Sequence, residues 1–245
     1  MSRIFNCDLH IHTCLSPCAD LDMYPRALVE KSLEKGLDII AICDHNSSEN
    51  VQYVIKAAEG KAIIVLPGME VTTKEEVHIL ALFDRLDELL LLQETVYNAL
   101  PGKNDEDLFG CQAIVNEADE VEGLSERLLI GATTLSLKEL EEKIHTLGGL
   151  AIAAHIDRQS FSVIFQLGFI PEDIKFDALE ISARLEIDEA RKEYPQLLSY
   201  SFLKSSDAHF LNDIGSASTK FYLEEGTISE MKMALGKRNG RYIME

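Results

Sequence analysis

Six of the seven histidines in this chain stand at the edge of an apolar run, and that placement constrains the fold more than any other feature. His10 and His12 follow the run Ile4 to Leu9, His45 follows Leu37 to Cys43, His78 opens HILALF, His155 ends LAIAAH, and His209 follows Phe202 to Ser205. Carboxylates keep them company at Asp8, Asp44, Glu70 and Asp207. Residues so far apart in sequence share one pocket only if the strand ends converge, and a barrel that gathers its C-terminal strand ends on one face does this.

The rest of the pattern agrees. Helical spacings or caps mark Pro25 to Lys35, Glu49 to Glu59, Leu86 to Leu100, Ser136 to Leu147, Ser160 to Leu167, Ile187 to Tyr194 and a last segment from Thr227 to Gly236. Ser136 with Glu139 reads as a capping box, and Thr227 with Glu230 as a cap. Between them lie short apolar strands: Ala62 to Leu66, Val77 to Phe83, Leu150 to Ala154, Ala178 to Ile181 and Thr219 to Leu223. Pro67 and Gly68 read as a sharp turn before Glu70. Strands this uniformly apolar predict helices outside a mainly parallel sheet, either an open doubly wound one or a closed barrel. Glycine fingerprints for phosphate or dinucleotide binding are missing after the first strand, which counts against the usual nucleotide-binding open sheets. From Pro101 to about Thr134 the pattern weakens into acidic text, an irregular insertion or lid over about 101–134 of a single domain spanning 1–245.

Composition narrows the function. With 46% hydrophobic residues the chain can build a sizeable core. Acidic residues exceed basic ones by 42 − 23 = 19, and Lys and Arg form no basic stretch, which opposes binding to long duplex nucleic acid. The Phe and Tyr residues are scattered, with no stripe suited to stacking bases. No apolar run approaches the roughly 20 residues of a membrane span, and MSRIFNCDLH meets an acid and a histidine too early for a signal-peptide core. A soluble, cytoplasmic protein with free thiols is the expectation, since five cysteines are an odd number in such a chain.

Strand alternation puts His10 and His12 on one side with Ile11 facing away, a pair able to ligate one borderline metal. Asp44 reads either as part of the site or as an Asx-type turn residue, a role Asn46 could also take. Glu70, between Met69 and Val71, needs a positive partner if buried, and a carboxylate can bridge two ions. His145, inside the polar helix EEKIHTLGG, reads as solvent-exposed. A serine nucleophile lacks the GxSxG elbow, and Cys7 and Cys43 read as inert buried thiols. The six histidines with Asp44, Glu70 and Asp207 exceed what one four-coordinate ion uses, so two or three divalent ions are the economical reading, with Zn, Mn and Fe all compatible. Such a cluster suits phosphate-ester hydrolysis.

The ordered motifs DLHIHT, CDHN, GMEVTT, AAHIDR and SSDAH resemble those of the polymerase and histidinol phosphatase (PHP) superfamily of metal-dependent phosphoesterases. The resemblance implies an α/β fold, a distorted seven-stranded (β/α)7 TIM-like barrel with a trinuclear centre at its C-terminal face. Carried onto this sequence, it gives His10, His12 and Asp207 to a first ion, Glu70 as the bridge, His78 and His155 to a second ion, and His45 with His209 to a third. The loop position matching the family histidine is Cys18, with Asp20 just beyond it, so either would complete the third site, or neither. The resemblance also implies that Arg158 binds the substrate phosphate. Arg184 is a second candidate, and each arginine has a neighbouring acid, Asp157 or Glu186, as a plain surface partner. Asp8 and Asp44 would fix ligand rings or accept a proton, His209 is a candidate proton donor, and Glu180 reads as a buried orienter or a strand-end acid.

The leading expectation is hydrolysis of a phosphate ester of a small metabolite or nucleotide by metal-bound hydroxide, phosphomonoesterase favoured. A phosphodiesterase or exonuclease acting on short nucleic acid is the nearer alternative. A nonenzymatic metal-binding module is the more distant one, and the oligomeric state is left open.

Overall fold

A computed structural model describes residues 1–244. Eleven strands and eight α-helices alternate along them. Nine strands form one sheet in the order β11-β10-β1-β2-β3-β4-β7-β8-β9: β11 (Tyr242–Met244), β10 (Thr219–Leu223), β1 (Arg3–Ile11), β2 (Ile39–Ile42), β3 (Ile64–Thr72), β4 (His78–Leu82), β7 (Leu150–Ala153), β8 (Ala178–Ile181) and β9 (Phe202–Lys204). The remaining two, β5 (Ala113–Val115) and β6 (Val121–Leu124), make a separate hairpin.

The sheet curls but is no closed (β/α)7 barrel. At the upper end the curl is drawn together, because His12 N donates to Ala208 O at 3.0 Å and Ala208 N to His10 O at 3.3 Å. Lower down, the antiparallel strand β10 occupies the edge of β1 from Arg3 to Cys7, where β9 would otherwise pair. The Thr219 hydroxyl spans to β9 there, accepting from Lys204 N and donating to Lys204 O at 2.8 Å each. An added antiparallel strand on β1 therefore holds open the sheet that the family resemblance led us to expect as a seven-stranded barrel.

The strands β2, β4, β7 and β8 are buried at every position, and successive residues pack into two different cores. Ile40 and Ile42 join the helices α1 (Pro25–Glu34) and α2 (Val51–Ala58) on the outside, while Ile39, Ala41 and Cys43 join Phe5, Leu66 and Leu150 inside the curl. Ile228, Met231 and Ala234 of α8 (Ile228–Leu235) pack with the inner set. The lumen is thus an apolar plug with polar residues only at one end.

Three local features differ from the sequence reading. Pro67 and Gly68 do not turn the chain; β3 runs through them to Thr72. A Cβ at Gly68 would lie 2.8 Å from Ile42 O and 2.8 Å from Leu82 Cδ2, so the glycine permits close packing of three strands. β4 runs antiparallel to both neighbours, β3 and β7. His145, on α5 (Leu137–Thr146), is not solvated on both sides: its ring lies between Glu141 Oε1 at 2.6 Å and Asp177 Oδ2 at 2.9 Å.

The hydrogen bond to Asp177, which also accepts from Ala151 N, raises the His145 pKa above its ordinary 6.5 despite partial burial. A value raised on folding means that the linked stability is complete below 6.5 and disappears as pH climbs through the folded value. His145→Ala should therefore cost about 1 kcal/mol near pH 6 and less towards pH 9, read as a shrinking Tm difference from wild type in a pH series.

Residues 101–134 are fastened down by buried amides. Asn50 Nδ2 donates to Ala113 O and its Oδ1 accepts from Val115 N, both at 3.0 Å, so one side chain pairs with β5 as a strand would. Asn46 donates to Leu129 O and Gly131 O at 2.8 Å and accepts from Thr72 N at 3.0 Å, a wider role than a local turn. Ala113 and Val115 pack on Cys14 and Tyr24, covering the loop after β1. A short helix, α4 (Glu106–Phe109), precedes the hairpin, and α3 (Leu86–Ala99), α6 (Val163–Leu167) and α7 (Ile187–Glu193) complete the set. No helix among the described residues is long and apolar enough to cross a membrane.

Candidate metal centre

At the end of the curl opposite α8, the apolar lining gives way to imidazoles. Cys7 and Leu9 belong to the inner core but Ile11 to the outer one, a switch of face that a register shift between Asp8 and Ile11 produces. This bulge brings His10 and His12 inward together, with their Nε2 atoms 3.1 Å apart. Glu70 shares the inward parity of Leu66, and Glu180 that of Ala178. His78 reaches the same end from the start of β4, and only because that strand is antiparallel. His155 and Asp207 take positive φ angles of 30° and 49°, and strain of this kind, about 1–3 kcal/mol a residue, persists where surroundings over-determine it.

Glu70 is the hub. Its Oε1 lies 2.9 Å from His78 Nδ1, 3.2 Å from His155 Nε2 and 3.5 Å from His10 Nε2. Its Oε2 lies 3.0 Å from His45 Nδ1 and 3.4 Å from His12 Nε2. Asp207 Oδ1 is 3.2 Å from both His10 Nε2 and His12 Nε2. His209 stacks on His12 with ring centroids 4.1 Å apart and is half-open to solvent.

These donors fit divalent cations. Two ligands each about 2.0–2.1 Å from a tetrahedral ion are about 3.3 Å apart, the spacing found here. Three groups of ligand atoms each converge within 4.8 Å: His10, His12 and Glu70; His45, Glu70 and His78; His12, His45 and His209. Buried Nδ1 atoms of His45 and His78 form no hydrogen bond, although each faces Glu70. The rings also cannot all be protonated. Burial is overcome by Glu180, Asp207 and Glu70 at His10, whose pKa is raised, and by Glu70 at His45, which reaches about 10. Burial wins at His12, held low, and at His78, lowered to about 4. Glu70 itself, against the penalty of burial, is kept well below the usual carboxylate range by His78, His10 and His45. Ligating imidazoles must be neutral, so metal binding at these rings would release protons.

The surrounding groups hold the rings. His10 Nδ1 meets Glu180 Oε2 at 3.0 Å, making Glu180 the residue that orients this ring. Asp44 accepts from Thr13 N, Thr13 Oγ1 and Ser16 Oγ, and Ser16 Oγ is 3.0 Å from His12 Nδ1, so Asp44 acts on that ring through Ser16. Asp8 touches no ligand ring. Its fully buried carboxylate accepts from Ser206 N and Gly215 N at 2.9 Å each and anchors the loop carrying Asp207; burial raises its pKa to about 6. The Asp8 carboxylate is thus committed to backbone donors around the loop that carries Asp207.

At the loop after β1, Cys18 and Asp20 part company. Cys18 lines the cavity beside His45 and His209. Partial burial of its thiol raises the pKa, but hydrogen bonds with His209 and His45 bring it down to about 7. Asp20 is exposed, and its Oδ1 accepts from Asp22 N at 2.9 Å, an Asx-type turn that uses the carboxylate away from the cluster. The expectation of Asp20 as a ligand is not met.

Arg158 lies at the rim with its guanidinium 2.5 Å from Asp207 Oδ2, while Asp157 binds Ser182 N and Oγ instead. Glu186 pairs with Lys204 at 2.8 Å, so Arg184 is left exposed without an ion-pair partner among the described residues. The cavity over the ligands is about 200 Å³, with Ile130 and Phe161 as its apolar wall. Phe161 stacks on His78, centroids 4.5 Å apart, from a positive φ of 58°. Sequence reasoning missed Ser16, Ile130 and Phe161 altogether.

A curled α/β sheet that gathers six histidines and two carboxylates at one end defines a candidate multinuclear metal protein. A profile of the PHP domain matches residues 8–225, and the chain belongs to that family. Over 110 residues it is 32% identical to YqxK of Bacillus subtilis (strain 168), covering 43% of this chain and 28% of that protein. Over 82 residues it is 32% identical to a 5'-3' exoribonuclease of Haemophilus influenzae, covering 32% of this chain and 29% of that one. These matches span less than a third of either curated relative. A lesion-specific endonuclease from Pyrococcus furiosus, PfuEndoQ, shares the fold with a TM-score of 0.76 at 22% identity, over 99% of this chain and 58% of its own.

Proposed function

We propose that this chain is a metal-dependent phosphoesterase acting on a phosphate ester of a small metabolite or nucleotide at one end of its curled, open sheet, with residues 101–134 as a fixed cover. The observation that carries the reading is Arg158, held by Asp207 at the rim of a cavity of about 200 Å³ whose floor is the ligand cluster. In this reading His10, His12 and Asp207 would hold one ion and His78 and His155 a second, with Glu70 as a ligand available to both. Zinc, manganese or iron would supply an activated water and neutralise phosphate charge. Arg158 would bind the nonbridging oxygens through its planar fork. Glu180 would keep His10 in one tautomer, and His209, whose Nδ1 meets Asp207 O at 2.9 Å, is taken here as a ligand of the third ion rather than as the proton donor. The buried free thiols Cys7, Cys14 and Cys43 fit a reducing, cytoplasmic setting.

The closing of the third site by Cys18 with His45 and His209 is part of the same reading. Cys18→Ser should lower metal content by about one equivalent while leaving the other two in place. Cobalt-loaded protein gives a second readout: thiolate-to-cobalt charge-transfer absorption should be present in wild type and missing in the variant. Equal metal content and identical spectra would remove Cys18 from the ligand set.

A phosphodiesterase or exonuclease activity on short nucleic acid is the second reading, favoured by the exoribonuclease relative and by the same endonuclease fold seen with a 27-mer duplex carrying an abasic lesion. Metal-loaded protein incubated with phosphomonoesters, nucleoside monophosphates and a 5'-labelled single strand separates the two. Release of inorganic phosphate with the strand unbroken supports the first, and mononucleotide release supports the second. No turnover of any of them by folded, metal-loaded protein would overturn both.

A further inference from the structure

The ligand cavity opens on one side into a second, larger cleft of about 720 Å³. Arg158, Ser160 and Asp207 line both, so the two spaces meet at the arginine that faces the ligand cluster. The space of about 200 Å³ over the ligands would be shared by the ions and the phosphoryl group, and the neighbouring cleft is where the rest of a bound ester extends.

The chemistry of that cleft is unlike that of the inner cavity. Hydroxyls from Ser182, Ser206 and Ser216 and the amide of Gln159 line it, and Ala183 is its one apolar side chain. Two of its acids are already engaged, Asp157 by Ser182 and Asp207 by Arg158 and the rings. Asp213 is exposed and faces the cleft as an acceptor for hydroxyl donors. Arg184 brings a guanidinium with no ion-pair partner among the described residues, just beyond the end of β8 at Ile181. Walls of hydroxyls and amides suit a polyol rather than an aromatic or aliphatic leaving group. An unpaired arginine among them suits a carboxylate or phosphate, which its fork binds through two parallel hydrogen bonds.

We infer that the substrate's leaving group is a hydroxylated, sugar-like moiety carrying a second anionic group, and that Arg184 is the specificity-determining residue that binds it. The inference rests on the phosphoesterase reading and adds the class of substrate. A free sugar bisphosphate and the sugar-phosphate terminus of a short strand share this chemistry.

The test uses matched pairs: fructose 1,6-bisphosphate against fructose 6-phosphate, and a 5'-phosphorylated dinucleotide against its 5'-mononucleotide. In wild type the doubly anionic member of at least one pair should have the higher kcat/KM, by about tenfold or more, and the pair that shows it identifies the source. Arg184→Ala should cut kcat/KM for that member about tenfold more than for its partner, mainly through KM, and Arg184→Lys should restore part of the difference. Calorimetric binding of the same four compounds to metal-loaded wild type and Arg184→Ala keeps the two readings apart. Tighter binding of a doubly anionic compound that depends on Arg184, without turnover, would uphold the subsite and sink the hydrolase. Turnover without any preference between members, or an Arg184→Ala loss equal for both, would overturn the inference and leave the hydrolase standing.

Discussion

Glu70→Gln should abolish most activity and lower metal content by at least one equivalent, with kcat/KM down on the order of 10³-fold. Glu70 is 1% exposed and faces five imidazole nitrogens, three around Oε1 and two around Oε2. Each oxygen of the carboxylate is thus assigned to a different set of rings, an arrangement that suits a group shared by two ions. Glutamine keeps the shape but turns one of those oxygens into an NH2 donor, which cannot ligate a cation. It also removes the negative charge that offsets the cations, in a buried place where an uncompensated charge is most costly. The effect on folding should be smaller than that on function, because Met69 and Val71 on the other face of β3 keep their packing. Metal analysis, steady-state kinetics and thermal unfolding on the same preparation check this. A variant with full metal content and undiminished turnover would dismiss Glu70 as the shared ligand.

Much of the site was legible from strand ends and the strand period, as at Glu70, whereas His10 and His12 turn inward together through the bulge between Asp8 and Ile11. A run such as Leu150 to Ala154 must be buried on both faces, so a histidine at its end can only open towards the lumen or the loops, and the sequence displays this directly. The same alternation, followed one step further, picks out Glu180, two residues after the inward Ala178. What escaped were facts decided by neighbours that are distant in sequence. Gly68 reads locally as a turn, but Ile42 and Leu82 press so closely on it that no side chain fits, and the strand continues. The antiparallel course of β4 leaves no mark on an apolar five-residue run, and the β10 pairing that holds the sheet open depends on which edge of β1 stays free. Ser16 escaped for a similar reason: motif position gave prominence to the Asp8 carboxylate, whereas a hydroxyl four residues after His12 is the group that touches the ring. The hairpin of residues 113–124 has too few apolar positions to announce itself, and much of its anchorage comes from Asn50 and other amides whose partners are backbone atoms.

Arg158→Ala is the complementary case, since it should separate catalysis from metal binding. Arginine has five donors and no lone pair for a metal, so its loss should leave metal content near that of wild type while kcat/KM falls about 10²- to 10³-fold. The nearest complication is Asp207, which loses its guanidinium partner. Asp207 nevertheless keeps His10 and His12 within 3.2 Å, and the arginine side chain is 43% exposed, so water screens much of the ion pair that is removed. Stability should therefore move by less than about 1 kcal/mol. Arg158→Lys discriminates further: a lysine preserves the charge but lacks the planar fork, and recovery of only a small part of the rate would assign the effect to paired hydrogen bonds rather than to charge alone. The measurements are kcat/KM for each accepted ester and metal content per chain, taken together. A specificity constant equal to that of wild type for every substrate would return Arg158 to a surface partner of Asp207, and a fall in rate accompanied by loss of metal would make it a support of the ligand cluster instead of a clamp on the phosphate.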